Sequence, residues 1–556
     1  MALLAPAPSG VAAPGGIVAV TVGFDGRART GAWTPVWVDV KAPAHGLEGT
    51  LTVEAASPAG GPATRYAVPV RAGPDAVVRV FLPAVFHNAR APGVLTLDDA
   101  AAGRLARVAL PRLRPVDEIV LALSRAPLDG ARWRVDAQRA AVVYLSAEDL
   151  PPVWQAYEAV RVVVVRDLDE RRVDEAQRRA LHQWVLAGGR LVVMPSGDDV
   201  RALSGPTVRP LLPAVVRVGP RGAIVMRAEA GAQVDGPPGA RVVRARRGRG
   251  DVVLWEWDGS GPTPAGAAGT ADEAMLQPPV PAVPPDLEGT LPAHRPLPVP
   301  VQVGTAVLVL AYVAAVRRLS RFAAGGGALG LATAFGMALL AAAGAVALAG
   351  AARRAASGPV ASVVVEHLRG TEHARVLAVV RTVAAPGGRY VLRLGAGVLV
   401  RPTTPTGVTV VTRPDSVDVV GTDSARLVAT ALGPARVRGA LNRAYTRAVI
   451  ETADGLRLER GWIHTAGRVH PLPAVAGRGV LALDAARWTT RDRLARTEPN
   501  HALLVWAFSL LESDAILKAH PAWLLGWMRD SAFSVRWNGR VEVPWQLVLV
   551  PLGVAD

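Results

Sequence analysis

Asp167, Asp169, Ser196, Asp198 and Asp199 come nearest, among the residues of this chain, to a set that could do chemistry. All five fall where apolar segments of strand length end, and ligands of open parallel sheets bind beyond the carboxyl ends of the strands. Carboxylates there would hold a cation or a polar ligand. A serine in Met194-Pro-Ser-Gly-Asp198 could serve as a nucleophile, with His182 as its base. Pro195 precedes that serine and Asp198 stands two residues after it, so the G-x-S-x-G elbow is missing. Aspartates in such loops also act as caps. The five residues are therefore read as the polar ligand edge of an α/β domain, with no catalytic residue, cofactor or metal assigned.

Other clusters lead to the same conclusion. Glu366-His367 and Glu372-His373 repeat at a spacing of six, and His464 and His470 show the same gap. Four imidazoles on adjacent strands would suit a metal, but the spacing matches no zinc pattern, and hydrogen-bonded histidines are the simpler reading. Arg241, Arg244, Arg246, Arg247 and Arg249 form the densest basic group. They would meet anionic headgroups or a phosphate polymer, or simply line the wet face of a hairpin. The chain contains no cysteine, which excludes disulfides, thiolate metal sites and a cysteine nucleophile.

The elements that must position these residues follow from periodicity. Residues 1–114 carry short alternating strands between Gly, Pro and Asp turns, as in an Ig-like β-sandwich. Residues 115–260 change rhythm. Glu118 to Leu123 and Val160 to Val165 are continuous apolar runs suited to a sheet covered on both faces. Asp174 to Ala187 is a helix capped by Asp174 and ended by Gly188-Gly189, and Arg190 to Met194 returns as a strand. This predicts an α/β domain closed by a hairpin that turns at Gly248-Arg-Gly250. Residues 261–298 form a Pro/Gly-rich linker. Residues 359–490 read as a second β-sandwich, and 491–556 as C-terminal helices with a strand.

Between them, 299–352 predicts a transmembrane helical hairpin. Val301 to Val316 and Ala323 to Ala352 are uncharged, separated by Arg317, Arg318 and Arg321. A hydrocarbon core of roughly 30 Å takes about 20 apolar residues of helix. Gly326 and Gly330 would let the two spans pack closely, and also allow self-association into a homo-oligomer. The fold class expected is thus a multidomain α+β membrane protein with the lipid bilayer as one partner. The net charge of +16 is almost all arginine, with only Lys41 and Lys518 as lysines, scattered rather than striped, which points away from nucleic acid. Residues 1–16 lack the basic and apolar regions of a signal peptide.

Several of these segments carry a resemblance. Gly31-Ala-Trp-Thr-Pro-Val36 with Leu47-Glu-Gly-Thr-Leu51, Leu150-Pro-Pro-Val-Trp154 with Tyr157, Arg166-Asp-Leu-Asp169, Ala180 to Gly189, and Leu191-Val-Val193 resemble bacterial membrane proteins of unassigned activity. These have an N-terminal β-sandwich, a class I glutamine amidotransferase-like domain, a transmembrane hairpin and a β-rich C-terminal domain. The resemblance implies a multi-pass protein of the bacterial cytoplasmic (inner) membrane, its large domains on the periplasmic side. It also implies a degenerate amidotransferase-like domain, since the cysteine nucleophile is missing. The function expected is a non-catalytic, membrane-anchored cell-envelope scaffold that binds a ligand or a protein partner of the envelope. The alternatives are a hydrolase using the α/β domain, and a polysaccharide- or lipid-binding module that makes contact through exposed Trp523 and Trp527.

Overall fold

The computed structural model describes residues 15–57, 60–124, 140–194, 203, 205–218, 224–236, 241–255, 287–291, 358–383, 390–395, 397–403, 407–422, 424–497, 501–518, 520–530, 533–537 and 540–555. Strand makes up 55% of it, so the class is decided by sheets rather than by helices. The N-terminal strands form two antiparallel groups. Gly16–Val22, Trp33–Lys41 and Val77–Val85 make a three-stranded sheet. Leu47–Ala55, Thr64–Ala72, Gly93–Asp99 and Gly103–Ala109 make one half of a nine-stranded sheet.

The other half of that sheet comes from late in the chain. Thr409–Thr412 runs parallel to Thr64–Ala72, with Thr409 opposite Arg65 and Val411 opposite Ala67. Ser416–Gly421, Tyr390–Gly395, Val535–Trp537 and Arg540–Glu542 continue the sheet outward. One core accordingly mixes Val36, Leu51, Val53 and Leu97 with Val363, Leu392, Val400, Leu427 and Val535.

Residues 118–255 build a seven-stranded sheet. Ala140–Tyr144, Glu118–Leu123, Val160–Val165, Arg190–Val193 and Gly250–Trp255 lie parallel in that order; Val242–Arg247 and Gln233–Asp235 then add on antiparallel. One α-helix, Glu175–Ala187, is described on this sheet. Its start is a capping box: the Asp174 carboxylate accepts from the Gln177 backbone N–H at 2.7 Å, and the Gln177 side chain accepts from the Asp174 N–H at 2.9 Å. Ala180, Leu181, Trp184 and Val185 fall on its buried face. Asp174→Ala is expected to lower stability by about 1 kcal/mol, read as a shift in the urea midpoint; no shift would mean the cap is redundant.

A ten-stranded sheet runs from Leu399–Pro402 through Arg426–Pro434, His373–Val383, Gly358–His367, Gln546–Pro551, Trp523–Met528, Arg457–Thr465 and Arg468–Leu472 to Thr489–Thr490, with Val475–Ala476 also paired to Arg457–Thr465; Arg478–Ala482, Arg447–Thr452, Val437–Asn442 and Gly553–Ala555 form a separate four-stranded sheet. Helix His501–Ser513 covers one face of the ten-stranded sheet, burying Leu504, Ala507, Phe508 and Leu511 with Trp462, Trp523 and Trp527.

These observations correct the expected fold class. The described residues of 115–260 do not form the expected α/β domain. The apolar strand runs are real, but they assemble a sheet that carries one described α-helix and turns antiparallel at its edge. The hairpin expected over 299–352, including Gly326 and Gly330, lies outside the described residues. Among the described residues no helix is long and apolar enough to cross a membrane. The longest have 13 residues, about 20 Å at 1.5 Å per residue, against a hydrocarbon core of roughly 30 Å. The described residues therefore give no support to a transmembrane hairpin or to a multi-pass placement in the inner membrane.

Candidate functional site

The strand-end aspartates hold local structure. After Val160–Val165 the chain turns under Leu123, whose carbonyl accepts from the N–H groups of Arg166 and Asp167. Asp167 receives the Ser124 hydroxyl at 3.4 Å. Asp169 caps the single 3₁₀ turn Glu170–Arg172, accepting from the Arg171 N–H at 3.2 Å, and pairs with Arg172 at 3.4 Å. Ser196, Asp198 and Asp199 lie outside the described residues. His182 is committed elsewhere: its Nε2 lies 2.6 Å from the Thr207 carbonyl, an acceptor, so that nitrogen carries the hydrogen. Burial pushes the imidazolium of His182 below its ordinary range, in spite of that bond.

Nor do the histidines gather. In the hairpin of Arg457–Thr465 and Arg468–Leu472, His464 stands opposite Val469 and His470 opposite Ile463. Side chains alternate along a strand, so the two rings lie on opposite faces of the sheet, His464 against Phe508 and His470 against Trp488. Among the described residues no group of three or more His, Cys, Asp or Glu could hold a metal ion.

The basic cluster departs most from its expected place on a wet face. The hairpin itself forms, but Arg249 at its tip is only 4% exposed. Its guanidinium donates to Glu366 at 2.6 Å and to the carboxylate of Asp514. Glu366, on Gly358–His367, also accepts from Arg375 on His373–Val383 at 3.0 Å, and both are buried. Two guanidiniums and two carboxylates thus bind the parallel sheet, the ten-stranded sheet and the end of helix His501–Ser513 together. Arg247 donates to the carbonyls of Leu211 and Leu212 and to Glu229. Alternation along the hairpin misled because the tip docks into the rest of the fold.

A half-buried carboxylate, Glu158, joins the start of strand Val160–Val165 to strands Leu399–Pro402 and Trp33–Lys41. It takes both guanidinium nitrogens of Arg401, at 2.8 and 3.0 Å, and the Trp33 backbone N–H at 3.0 Å. The cavity beside it, lined by Trp33, Trp154, Trp184 and Thr430, measures about 40 Å³. That is space for a few waters at most.

A larger opening lies at the other end of the ten-stranded sheet. A cleft of about 630 Å³ is bounded by the Ala466–Gly467 turn, the end of helix His501–Ser513 at Leu511 and Glu512, and Lys518, His520, Pro521 and Trp523. Both turn residues have positive φ, 44° and 77°, as a two-residue hairpin of type I′ requires. His464 forms part of the wall. Trp523 and Trp527, expected as exposed contacts, are buried at 4% and 5%, and the Trp523 indole N–H is bonded to the Leu517 carbonyl at 3.1 Å. The sequence singled out His464 only as a possible ligand of a metal. It missed His520, Glu512 and Lys518, which are isolated in sequence and converge only through the packing of helix on hairpin.

A family model described as "Domain of unknown function (DUF8726)" matches residues 16–109, the N-terminal strands alone. No curated protein matches the chain.

Proposed function

We propose that this protein is a non-catalytic scaffold that binds a ligand or partner. The observation that carries the reading is the engagement of its ionisable groups. Asp169 caps a turn, His182 donates to a carbonyl, and Arg249, Glu366, Arg375 and Asp514 neutralise one another in the interior. A catalytic carboxylate or imidazole needs a free face toward its substrate, whereas these groups hold sheets together. The 630 Å³ cleft falls within the volume range of small-molecule sites.

The test is an activity screen of the purified full chain against ester, amide, glycoside and phosphoester substrates. No turnover above that of a heat-inactivated control is expected. A turnover that disappears in Ser196→Ala or Asp198→Ala would overturn the proposal in favour of a hydrolase.

A further inference from the structure

Among the described residues, every sheet but one is drawn from a single part of the chain. The three-stranded and seven-stranded sheets come wholly from residues 16–255, and the ten-stranded and four-stranded sheets wholly from residues 358–555. The nine-stranded sheet alone takes strands from both, and there the parts meet at one strand pair, Thr64–Ala72 with Thr409–Thr412. A cut between residues 256 and 286 would therefore leave each part with its own strand pairing, that one pair excepted.

What joins the two parts is built like an interface between subunits. At the strand pair the Arg65 N–H donates to the Val408 carbonyl at 3.1 Å, and Val408 and Val410, 1% and 2% exposed, enter one core with Tyr66 and Val68. Away from it, the Gln155 side chain donates to the Thr430 carbonyl at 3.1 Å in the interior. Arg401 reaches back to Glu158 and to the Gly31 carbonyl, and Arg249 reaches forward to Glu366 and Asp514. An apolar centre with polar contacts around it is the arrangement of stable protein–protein interfaces. A covalent tether holds two parts at an effective concentration of about 1 mM, so a connected pair needs only weak contacts to stay together. The contacts here exceed that need.

We propose that residues 358–555 are the binding partner of the N-terminal part, and that the two hold together without the chain that connects them. The receiving surface is the Thr64–Ala72 edge with Gln155, Glu158 and Arg249 beside it. The partner it fits offers an edge strand whose buried side carries Val408 and Val410. The strands matched by the family model thus belong to one member of a pair whose other member lies in the same polypeptide. This goes beyond the binding role proposed above and stands whatever the activity screen returns.

A site-specific protease sequence inserted between Gly269 and Thr270, outside the described residues, lets the folded full-length protein be cut in place. The two pieces are expected to elute in gel filtration as one peak of the uncut size, and to stay together on dilution to about 1 μM, within the range of interfaces of this kind. Val410→Ala should raise their dissociation constant about thirtyfold through the cavity it leaves. Gln155→Ala, which leaves the Thr430 carbonyl unmet, should raise it about tenfold, and it carries the test alone if the valine variant does not fold. Val480→Ala, at a position 60% exposed on the four-stranded sheet, should leave it unchanged. The proposal is overturned if the cut wild-type pieces elute apart at that concentration, or if the Val410 and Gln155 variants hold together as tightly as the wild type.

Discussion

Glu366→Gln is expected to destabilise the fold by about 3–5 kcal/mol, the range for removing one member of a buried charge cluster. Its carboxylate faces Arg249 and Arg375, both buried. The neutral amide would remove the negative charge that faces both guanidiniums, with Asp514 still paired to Arg249. Replacing Arg249, Glu366 and Arg375 together by Met, Leu and Met should cost less than the single change, because desolvated charges that oppose each other contribute little net stability. Urea denaturation of the two variants decides this. If Glu366→Gln unfolds at the wild-type midpoint, the cluster is solvated and the account fails. The same carboxylate ties stability to acid. Burial pushes its pKa up, but Arg249 and Arg375 outweigh burial and hold it below the ordinary 4.5. A folded value below the unfolded one makes the contribution complete above about pH 4.5 and lost as the pH falls through the folded value. Glu366→Gln should lack that acid limb.

His367 governs a higher range of pH. Burial, and next the Arg438 guanidinium, push its pKa down from 6.5 to about 4, with Glu366 opposing them. The unfolded chain binds this proton first on acidification. The histidine's share of stability is therefore intact above pH 6.5 and drains away as the pH falls to about 4. The loss is about 3 kcal/mol, at 1.36 kcal/mol for each pKa unit. His367→Leu, of similar volume, cannot take up the proton, so its stability profile between pH 6.5 and 4 should be flatter by that amount. Equal slopes in wild type and variant would show that His367 is protonated in the folded protein.

How much of this was legible in the sequence depended on how local its cause was. The helix after Asp174 was readable to its caps, since the capping box and the apolar stripe lie within fourteen residues, Asp174 to Ala187. The strands at Glu118–Leu123 and Val160–Val165 and the hairpin at Val242–Trp255 were readable from apolar runs and from Gly248. Strand neighbours were not. Alternation tells which face of Thr409–Thr412 is apolar, but nothing in those four residues names Thr64–Ala72 as their partner. The α/β domain expected over 115–260 was inferred from apolar strands and one strand–helix–strand unit, and burial of a strand does not say what buries it. For the candidate site, Asp167 and Asp169 were placed at strand ends correctly, but their local bonds could not be seen from spacing. Arg249 looked exposed because a hairpin pattern ignores what its tip meets. The cleft was invisible because His464, Glu512, Lys518 and His520 are drawn together by helix packing alone.

The parallel pairing of Thr64–Ala72 with Thr409–Thr412 has a consequence for biosynthesis. A ribosome releases the earlier strand long before the later one exists, so its partner edge stays bare while most of the polypeptide is still being made. Bare edges invite association with other chains. The N-terminal strands matched by the family model, taken alone, are therefore a unit of descent but an unfinished unit of folding, and nascent copies need shielding until the matching strand emerges.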